Sequence, residues 1–350
     1  MPSIDDLEDY PSTSIVFADT DLIDIGFLSG GTRFATLAPS RVGGLTVWTS
    51  AEHVPFLPEG KLTLLDADPT SLLILPVDHV AIGLSDGSIV FAEASSSEVE
   101  SLHRTERIHK MEVLSMCSLM SDKRKLASGS ADGSIIVGDL ETQTFDEIVR
   151  GECGAMAMCA ISGGTTVCVG HMAGRLTLWD VREKIKNPVR NKATATVLLE
   201  SNSDSVTALA AHPSQANVFA FGTESGSIGF VDVRAGGRAE VMNGLSAATQ
   251  AITKICFHPS LAENLFAASA DGSLQHLDAS RSHAYTFGAI TESPLRQVSW
   301  CLPSLQESLT STSLYPRSSK YPQSFDICSN SLVVAFANQM IHCLDGIKLS

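Results

Sequence analysis

The chain alternates short apolar segments with polar turns, and one arrangement recurs along its length. A strand of small and apolar residues runs into a turn centred on glycine, and a second apolar strand then ends on or near an aspartate. Five copies are clear: 81–94 (AIGLSDGSIVFAEA), 127–140 (ASGSADGSIIVGDL), 168–181 (CVGHMAGRLTLWDV), 220–233 (AFGTESGSIGFVDV) and 266–279 (FAASADGSLQHLDA). Each copy predicts a β-hairpin.

The spacing of these copies predicts the architecture. The turn glycines that anchor them are Gly87, Gly133, Gly174, Gly226 and Gly272. Two weaker copies end at Trp48 and Asp345, with anchors at Gly43 and Gln339, so that successive anchors are 44, 46, 41, 52, 46 and 67 residues apart. A period of about 40 to 45 residues with Trp-Asp endings is the signature of a four-stranded propeller blade. The pattern therefore predicts an all-β protein, a seven-bladed WD40-type β-propeller.

The chemistry of the turns agrees with this prediction. Asp-Gly pairs at 86–87, 132–133 and 271–272 supply the positive backbone dihedrals that a tight hairpin needs. The strands that enter the turns are rich in Ala, Gly and Ser, as expected where blades crowd around a central axis. Since one blade leaves both faces of its sheet uncovered, we expect stability to depend on stacking and on closing the ring.

The repeats also predict how the chain is divided. Residues 12–350 form one propeller in this interpretation, and residues 1–11 form a short acidic tail. The sixth blade is predicted at about 252–287 and the seventh at about 324–345, where a fourth strand is missing. An unassigned apolar strand at 14–18 is expected to complete the last blade. The Ser-, Thr- and Pro-rich stretch 288–322 is predicted to be an insertion between blades six and seven.

Composition narrows the class of partner. The net charge is −15, with 39 acidic against 24 basic residues, which argues against direct binding of nucleic acid because a phosphate backbone requires clustered Lys and Arg. Eight scattered cysteines without a CxxC pair, and no apolar run near the ~18 residues of a membrane helix, favour a soluble protein of a reducing compartment without membrane insertion.

The sequence offers no catalytic, cofactor or metal site. His171 has no acid at a suitable spacing, and His212 and His258 precede their turn glycines by the same 14 residues, which favours a repeated structural turn over metal binding. We therefore expect no enzyme activity, no cofactor, no bound metal and no small-molecule substrate.

Two arginines allow an alternative. Arg182 and Arg234 each lie two places beyond the aspartate that ends a repeat. This spacing resembles the motif by which some WD-repeat proteins dock onto the adaptor of a cullin-type ubiquitin ligase, so a substrate receptor of such a ligase is the alternative function. The same spacing also arises when the aspartate only stabilises a turn.

A more extended resemblance covers about half of the chain. Residues 211–280, with HPSQANVFAFGTESGSIGFVDVR followed by HPSLAENLFAASADGSLQHLDAS, resemble a pair of blades in the WD-repeat nucleoporins of the Y-shaped scaffold of the nuclear pore. The resemblance continues through 299–300 (SW) and 313–316 (SLYP) to three short strands at the end.

The resemblance implies a non-enzymatic scaffold subunit at the nuclear envelope. Its implied partners are the helical-solenoid and propeller nucleoporins of the same complex, and it implies a role in nucleocytoplasmic transport, including mRNA and protein transport, and an association with kinetochores in mitosis. We expect partners to bind at apolar side chains in and beside the insertion: Leu295, Val298, Trp300, Leu302, Leu305 and Tyr315. The alternative for these residues is that they only cover the bottom of blades six and seven.

Overall fold

The computed structural model describes residues 12–39, 44–51, 54–64, 66–94, 99–119, 125–151, 153–172, 174–182, 195–198, 204–233, 240–241, 245–281, 300–301 and 309–349. Within these residues, 29 strands form seven antiparallel sheets, and five of the sheets are meanders of four consecutive strands. Apart from the strands, the described residues contain one 3-10 turn, at Ser162–Gly164. None of them forms a helix with the length and apolarity needed to span a bilayer.

The first four blades follow one another along the chain. Blade one contains β2 (Asp24–Phe27), β3 (Arg33–Ala38), β4 (Gly44–Ala51) and β5 (Val54–Leu62). Blade two contains β6 (Pro69–Ile74), β7 (His79–Leu84), β8 (Ile89–Ala94) and β9 (Val99–Arg104). Blade three contains β10 (Val113–Ser118), β11 (Lys125–Ser130), β12 (Ser134–Asp139) and β13 (Thr144–Arg150). Blade four contains β14 (Ala155–Ile161), β15 (Thr166–His171), β16 (Arg175–Asp180) and β17 (Ala195–Leu198).

The last three blades include the two irregular ones. Blade five contains β18 (Val206–Ala211), β19 (Val218–Thr223), β20 (Ser227–Asp232) and two short outer pieces, β21 (Glu240–Val241) and β22 (Leu245–Ser246). Blade six contains β23 (Ile252–Phe257), β24 (Asn264–Ser269), β25 (Leu274–Asp278) and β26 (Thr310–Tyr315). Blade seven contains β27 (Pro322–Cys328), β28 (Ser331–Phe336), β29 (Met340–Asp345) and β1 (Ser12–Phe17).

The hydrophobic core lies between the blades. Seven clusters of buried apolar side chains are present, and each is built from two neighbouring blades. Hydroxyl groups of the inner strands add hydrogen bonds across three of these seams: Thr70 Oγ1 donates to the Val113 carbonyl at 2.6 Å, Thr207 Oγ1 to Ile252 at 2.7 Å, and Thr253 Oγ1 to Pro322 at 3.1 Å. Each blade is thus stabilised mainly by its neighbours.

The N-terminal strand closes the ring, as predicted. Strand β1 pairs with β29 from Ser12 opposite Asp345 to Phe17 opposite Met340. Its side chains alternate, so that Val16 packs against the cluster between blades seven and one while Ile15 is 48% exposed. The pairing covers the edge of β29 that an open ring would expose.

The structure corrects the position of the insertion. Strand β26, at Thr310–Tyr315, lies inside the stretch 288–322 and pairs with β25 as the fourth strand of blade six. The additional residues therefore lie between the third and fourth strands of blade six and not between blades six and seven. Local sequence does not reveal this pairing, because the strand TSTSLY is polar and far from its partner in the chain.

The turn glycines are required by close backbone contacts. All five have positive φ, from 62° at Gly174 to 90° at Gly272, and Gln339 has φ 69° at the equivalent place in blade seven. A Cβ atom on Gly272 would overlap the Ser318 carbonyl oxygen, and one on Gly133 would overlap that of Gly151. The turns at Gly87, Gly133, Gly226 and Gly272 therefore fit against the connections that lead into the next blades.

The aspartate before the glycine stabilises the same contact between the turn and the connection to the next blade. In blade six, Asp271 accepts hydrogen bonds from the Ser273 and Thr249 backbone amides, at 3.0 and 2.9 Å. Burial opposes ionisation of this carboxyl, but its hydrogen bonds with Ser273 and Thr249 outweigh burial and hold its pKa well below the usual range.

The closing strand gives a first testable prediction. Val16→Asp should lower the free energy of unfolding by about 1–3 kcal/mol, because it places a charge against the apolar seam. Ile15→Asp, on the exposed face of the same strand, is the matched control and should change it by less than about 0.5 kcal/mol. Chemical denaturation followed by circular dichroism measures both, and equal effects of the two changes would contradict the observed register.

The turn glycines give a second prediction. Gly272→Ala should destabilise the fold by about 1–3 kcal/mol more than Gly30→Ala. Gly30 has nearly the same φ, 89°, but nothing lies within 4 Å of its Cβ position, so it reports the backbone strain alone. Thermal unfolding of the two variants separates the cost of backbone strain from the cost of steric overlap. A Gly272→Ala variant no less stable than the Gly30→Ala control would contradict the close contact between the Gly272 turn and the Ser318 carbonyl.

Candidate docking surface

Trp300, which the sequence offered as a docking residue, lies in the core. Its side chain is 0% exposed, and its ring lies 4.9 Å from Phe230 and 5.5 Å from Phe257, centroid to centroid. Its indole Nε1 donates a hydrogen bond to the Ala262 carbonyl oxygen at 3.0 Å. Trp300 therefore seals the seam between blades five and six and has no surface to offer a partner. The predicted Leu295, Val298, Leu302 and Leu305 lie outside the described residues.

Tyr315 is half-buried at the end of β26. Its ring packs edge-on against Phe336 at 5.3 Å between centroids, and its hydroxyl lies 3.0 Å from Nδ1 of His342. Burial raises the pKa of this phenol. The contacts bind blade six to blade seven, so Tyr315 has a packing role whatever else it contacts.

Arg182 is held by the aspartate of its own repeat. The guanidinium Nε lies 3.0 Å from Oδ1 of Asp180, and the Arg182 backbone amide donates to the same oxygen at 2.9 Å. This geometry is that of an aspartate that stabilises a turn, which is the structural alternative weighed above. Arg234 lies outside the described residues.

The repeated histidines stabilise turns. Nδ1 of His212 accepts the backbone N–H of Gln215 at 2.9 Å, and Nδ1 of His258 accepts that of Leu261 at the same distance. Burial lowers the pKa of His212 to about 4, which keeps the ring neutral at pH 7. No three His, Cys, Asp or Glu side chains among the described residues are placed to hold a metal ion, and all eight cysteines are free thiols.

His171 takes part in a short network inside blade four. Its Nε2 lies 2.8 Å from Oγ1 of Thr177, and the indole of Trp179 donates to the same hydroxyl at 2.9 Å. Burial lowers the pKa of His171 as well. These contacts give the histidine a structural role.

A groove between blades two and three is the best candidate for a docking surface. It has a volume of about 420 Å³, within the usual range for binding pockets. Its walls come from the turn between β6 and β7, the outer strands of blade two, and the turn between β12 and β13. The apolar lining residues are Leu75, Pro76, Phe91, Leu102, Leu140 and Phe145.

Two apolar side chains stand out of the surface beside this groove. Leu102, in β9, is 51% exposed, and Val77, in the turn between β6 and β7, is 76% exposed. Val77 and Asp78 both have positive φ, 61° and 57°, a conformation that a β-branched residue adopts only at a cost. Asp78 is fixed to blade one, because it accepts the Ser29 amide at 2.7 Å and lies 3.2 Å from Nη1 of Arg33. These contacts hold the turn, with Val77 pointing outward.

Sequence reasoning missed this groove because its walls belong to different blades. The segment LPVD at 75–78 can be predicted as a turn, and Leu102 can be recognised as an apolar residue in a polar outer strand. The packing of blade two against blade three, which the local sequence does not show, brings this turn and Leu102 beside Leu140 and Phe145.

Comparison with known proteins gives a partial match. No protein-family model matches the chain. The protein called Nucleoporin Nup43 is 35% identical to this chain over 109 residues in Homo sapiens and 34% identical over the same length in Mus musculus. Each match covers 31% of this chain and only 26% of the relative, so the chain matches about a quarter of the length of these curated relatives.

A solved structure supports the fold over almost the whole chain. A chain in the crystal structure of the mitotic checkpoint complex superposes with a TM-score of 0.72, over 97% of this chain and 92% of that one. The two are 17% identical, so the likeness shows the fold alone. With the seven sheets described above, it confirms the predicted seven-bladed WD40-type propeller.

Proposed function

We propose that this protein is a non-enzymatic structural subunit of the outer-ring, Y-shaped scaffold of the nuclear pore complex. In this role it is a rigid docking platform for other nucleoporins at the nuclear envelope, and it supports nucleocytoplasmic transport. The observation that carries the proposal is the 35% identity with a nucleoporin over 109 residues, in a chain that folds as a propeller.

The docking part of the proposal rests on the groove between blades two and three. We place there an amphipathic helix of a helical-solenoid nucleoporin, with its apolar ridge against Leu102 and Phe145. A helix that lies in an apolar groove is a common recognition mode, and a few buried anchors then supply most of the affinity. The groove lies on a fixed part of the ring, since the ion pair between Asp78 and Arg33 holds the turn between β6 and β7 against blade one.

Affinity purification tests the scaffold part of this proposal. The tagged protein, recovered from dividing cells at mild salt, should bring down scaffold nucleoporins in near-equal amounts, as mass spectrometry would show. Recovery of a cullin adaptor without nucleoporins would overturn the scaffold proposal in favour of a ubiquitin ligase receptor. A mitotic sample extends the test to the proposed kinetochore association.

A pair of substitutions locates the surface. Leu102→Glu should reduce nucleoporin recovery at least about tenfold, because it places a charge in the apolar contact, a loss of about 1.4 kcal/mol or more. Met172→Glu is the matched control: Met172 is 59% exposed and lies outside the groove, so recovery should not change. If both variants recover nucleoporins like the native protein, the groove is not the docking surface.

A further inference from the structure

Charge is almost absent from the wall of the central channel. The inner strands of the seven blades, β2, β6, β10, β14, β18, β23 and β27, carry just three charged residues, all in blades six, seven and one: Lys254, Asp326 and Asp24. The other residues of these strands are apolar, small or hydroxyl-bearing, apart from one glutamine. The three charges therefore meet at one part of the channel.

The lysine pairs with one of the two acids and with two uncharged acceptors. Its ammonium Nζ lies 3.0 Å from Oδ1 of Asp24, 3.2 Å from the Ile25 carbonyl oxygen and 2.9 Å from Oγ of Ser324. An ammonium group has three protons to donate, and these three acceptors take all of them. No proton of Lys254 is left for Asp326.

Asp326 is consequently held by amides alone. Its Oδ2 accepts the Phe27 backbone N–H at 2.8 Å, and its Oδ1 accepts that of Ile327 at 2.9 Å. Burial raises the pKa of this carboxyl, and the charge of Asp24 acts in the same direction, although Lys254 and the two amides oppose them. The cluster therefore contains two acids and one base, and no cationic side chain in the described part of the chain lies within hydrogen-bonding distance of Asp326.

Asp326 lines a cavity at the mouth of the channel. The cavity has a volume of about 520 Å³ and is bounded by the last residues of the inner strands of blades seven, one, two and three. Its apolar wall includes Phe27, Ile74, Leu75 and Ile327, and Asp326 is the one acidic lining residue among those that the structure describes. An aromatic and aliphatic wall around one carboxylate suits a long side chain with an apolar stem and a cationic end.

We propose that this cavity binds an arginine or lysine side chain presented by a basic segment of a partner protein. The cationic end pairs with Asp326, and the aliphatic stem packs against Phe27 and Ile74. The net charge of −15 draws such a segment toward the protein. This site adjoins the groove between blades two and three, with which it shares Leu75 and Pro76, and it does not depend on the nuclear pore assignment.

Fluorescence anisotropy with synthetic peptides tests the proposal. The probe is a labelled peptide pool with arginine or lysine at one fixed central position, and the matching pool carries citrulline or norleucine there. The folded full chain should bind the cationic pool at least about tenfold more tightly, and the preference should weaken as salt is raised. Equal binding of the two pools, or binding of neither, would overturn the proposal.

Three variants assign the binding to the cavity. Asp326→Asn removes the charge and keeps an acceptor for the Phe27 amide, so it should abolish the preference for the cationic pool. Ser29→Lys, at an exposed position on the rim, should weaken binding of that pool without disturbing the core, and it decides the test if Asp326→Asn does not fold. Glu224→Gln makes the same change of charge at an exposed turn and should leave binding unchanged. If Asp326→Asn and Ser29→Lys both bind the cationic pool as tightly as the native chain does, the peptides bind outside this cavity.

Discussion

A four-stranded blade has two faces to bury and no cover of its own, so each blade of this ring depends on the two beside it. The distribution of the core shows this dependence directly, because the seven clusters of buried apolar side chains lie at the seven seams. The ring closes where the two ends of the chain meet, since β1 pairs with β29 inside blade seven and blade seven packs against blade one. In the channel, Asp326 of blade seven accepts the Phe27 amide of blade one, and Lys254 of blade six reaches Asp24 of blade one. The charged residues of the inner strands are thus concentrated around the place where the ring closes.

The sequence was most informative where the structure is local. An Asp-Gly turn between two apolar strands is contained in about 14 residues, and Gly133 and Gly272 adopt the positive φ that the turn predicts. The closing strand was predictable too, because its apolar residues matched a vacancy in the last blade. The fourth strand of blade six was missed, since a long insertion separates β26 from β25 and its residues are polar. Trp300 was misjudged for a related reason: an apolar residue in a polar stretch can fill a core seam as well as a surface, and only the packing against Phe230 decides which.

The two proposed binding sites lie on one face of the ring. The groove between blades two and three and the cavity at the channel mouth share Leu75 and Pro76, the residues that open the turn after β6. The exposed Val77 follows them, held by Asp78 and Arg33 of the neighbouring blade. A rigid turn between the groove and the cavity suits a scaffold with a preformed binding surface. The two proposed sites would then contact different parts of a partner's surface.

The scaffold proposal is tested most directly by imaging the tagged chain at its native level in living cells and bleaching a segment of the nuclear envelope. A scaffold subunit of the pore is held by many contacts, so the account predicts a punctate signal at the nuclear rim that recovers slowly after bleaching. A diffuse signal, or a rim signal that recovers within seconds as freely exchanging proteins do, would contradict it.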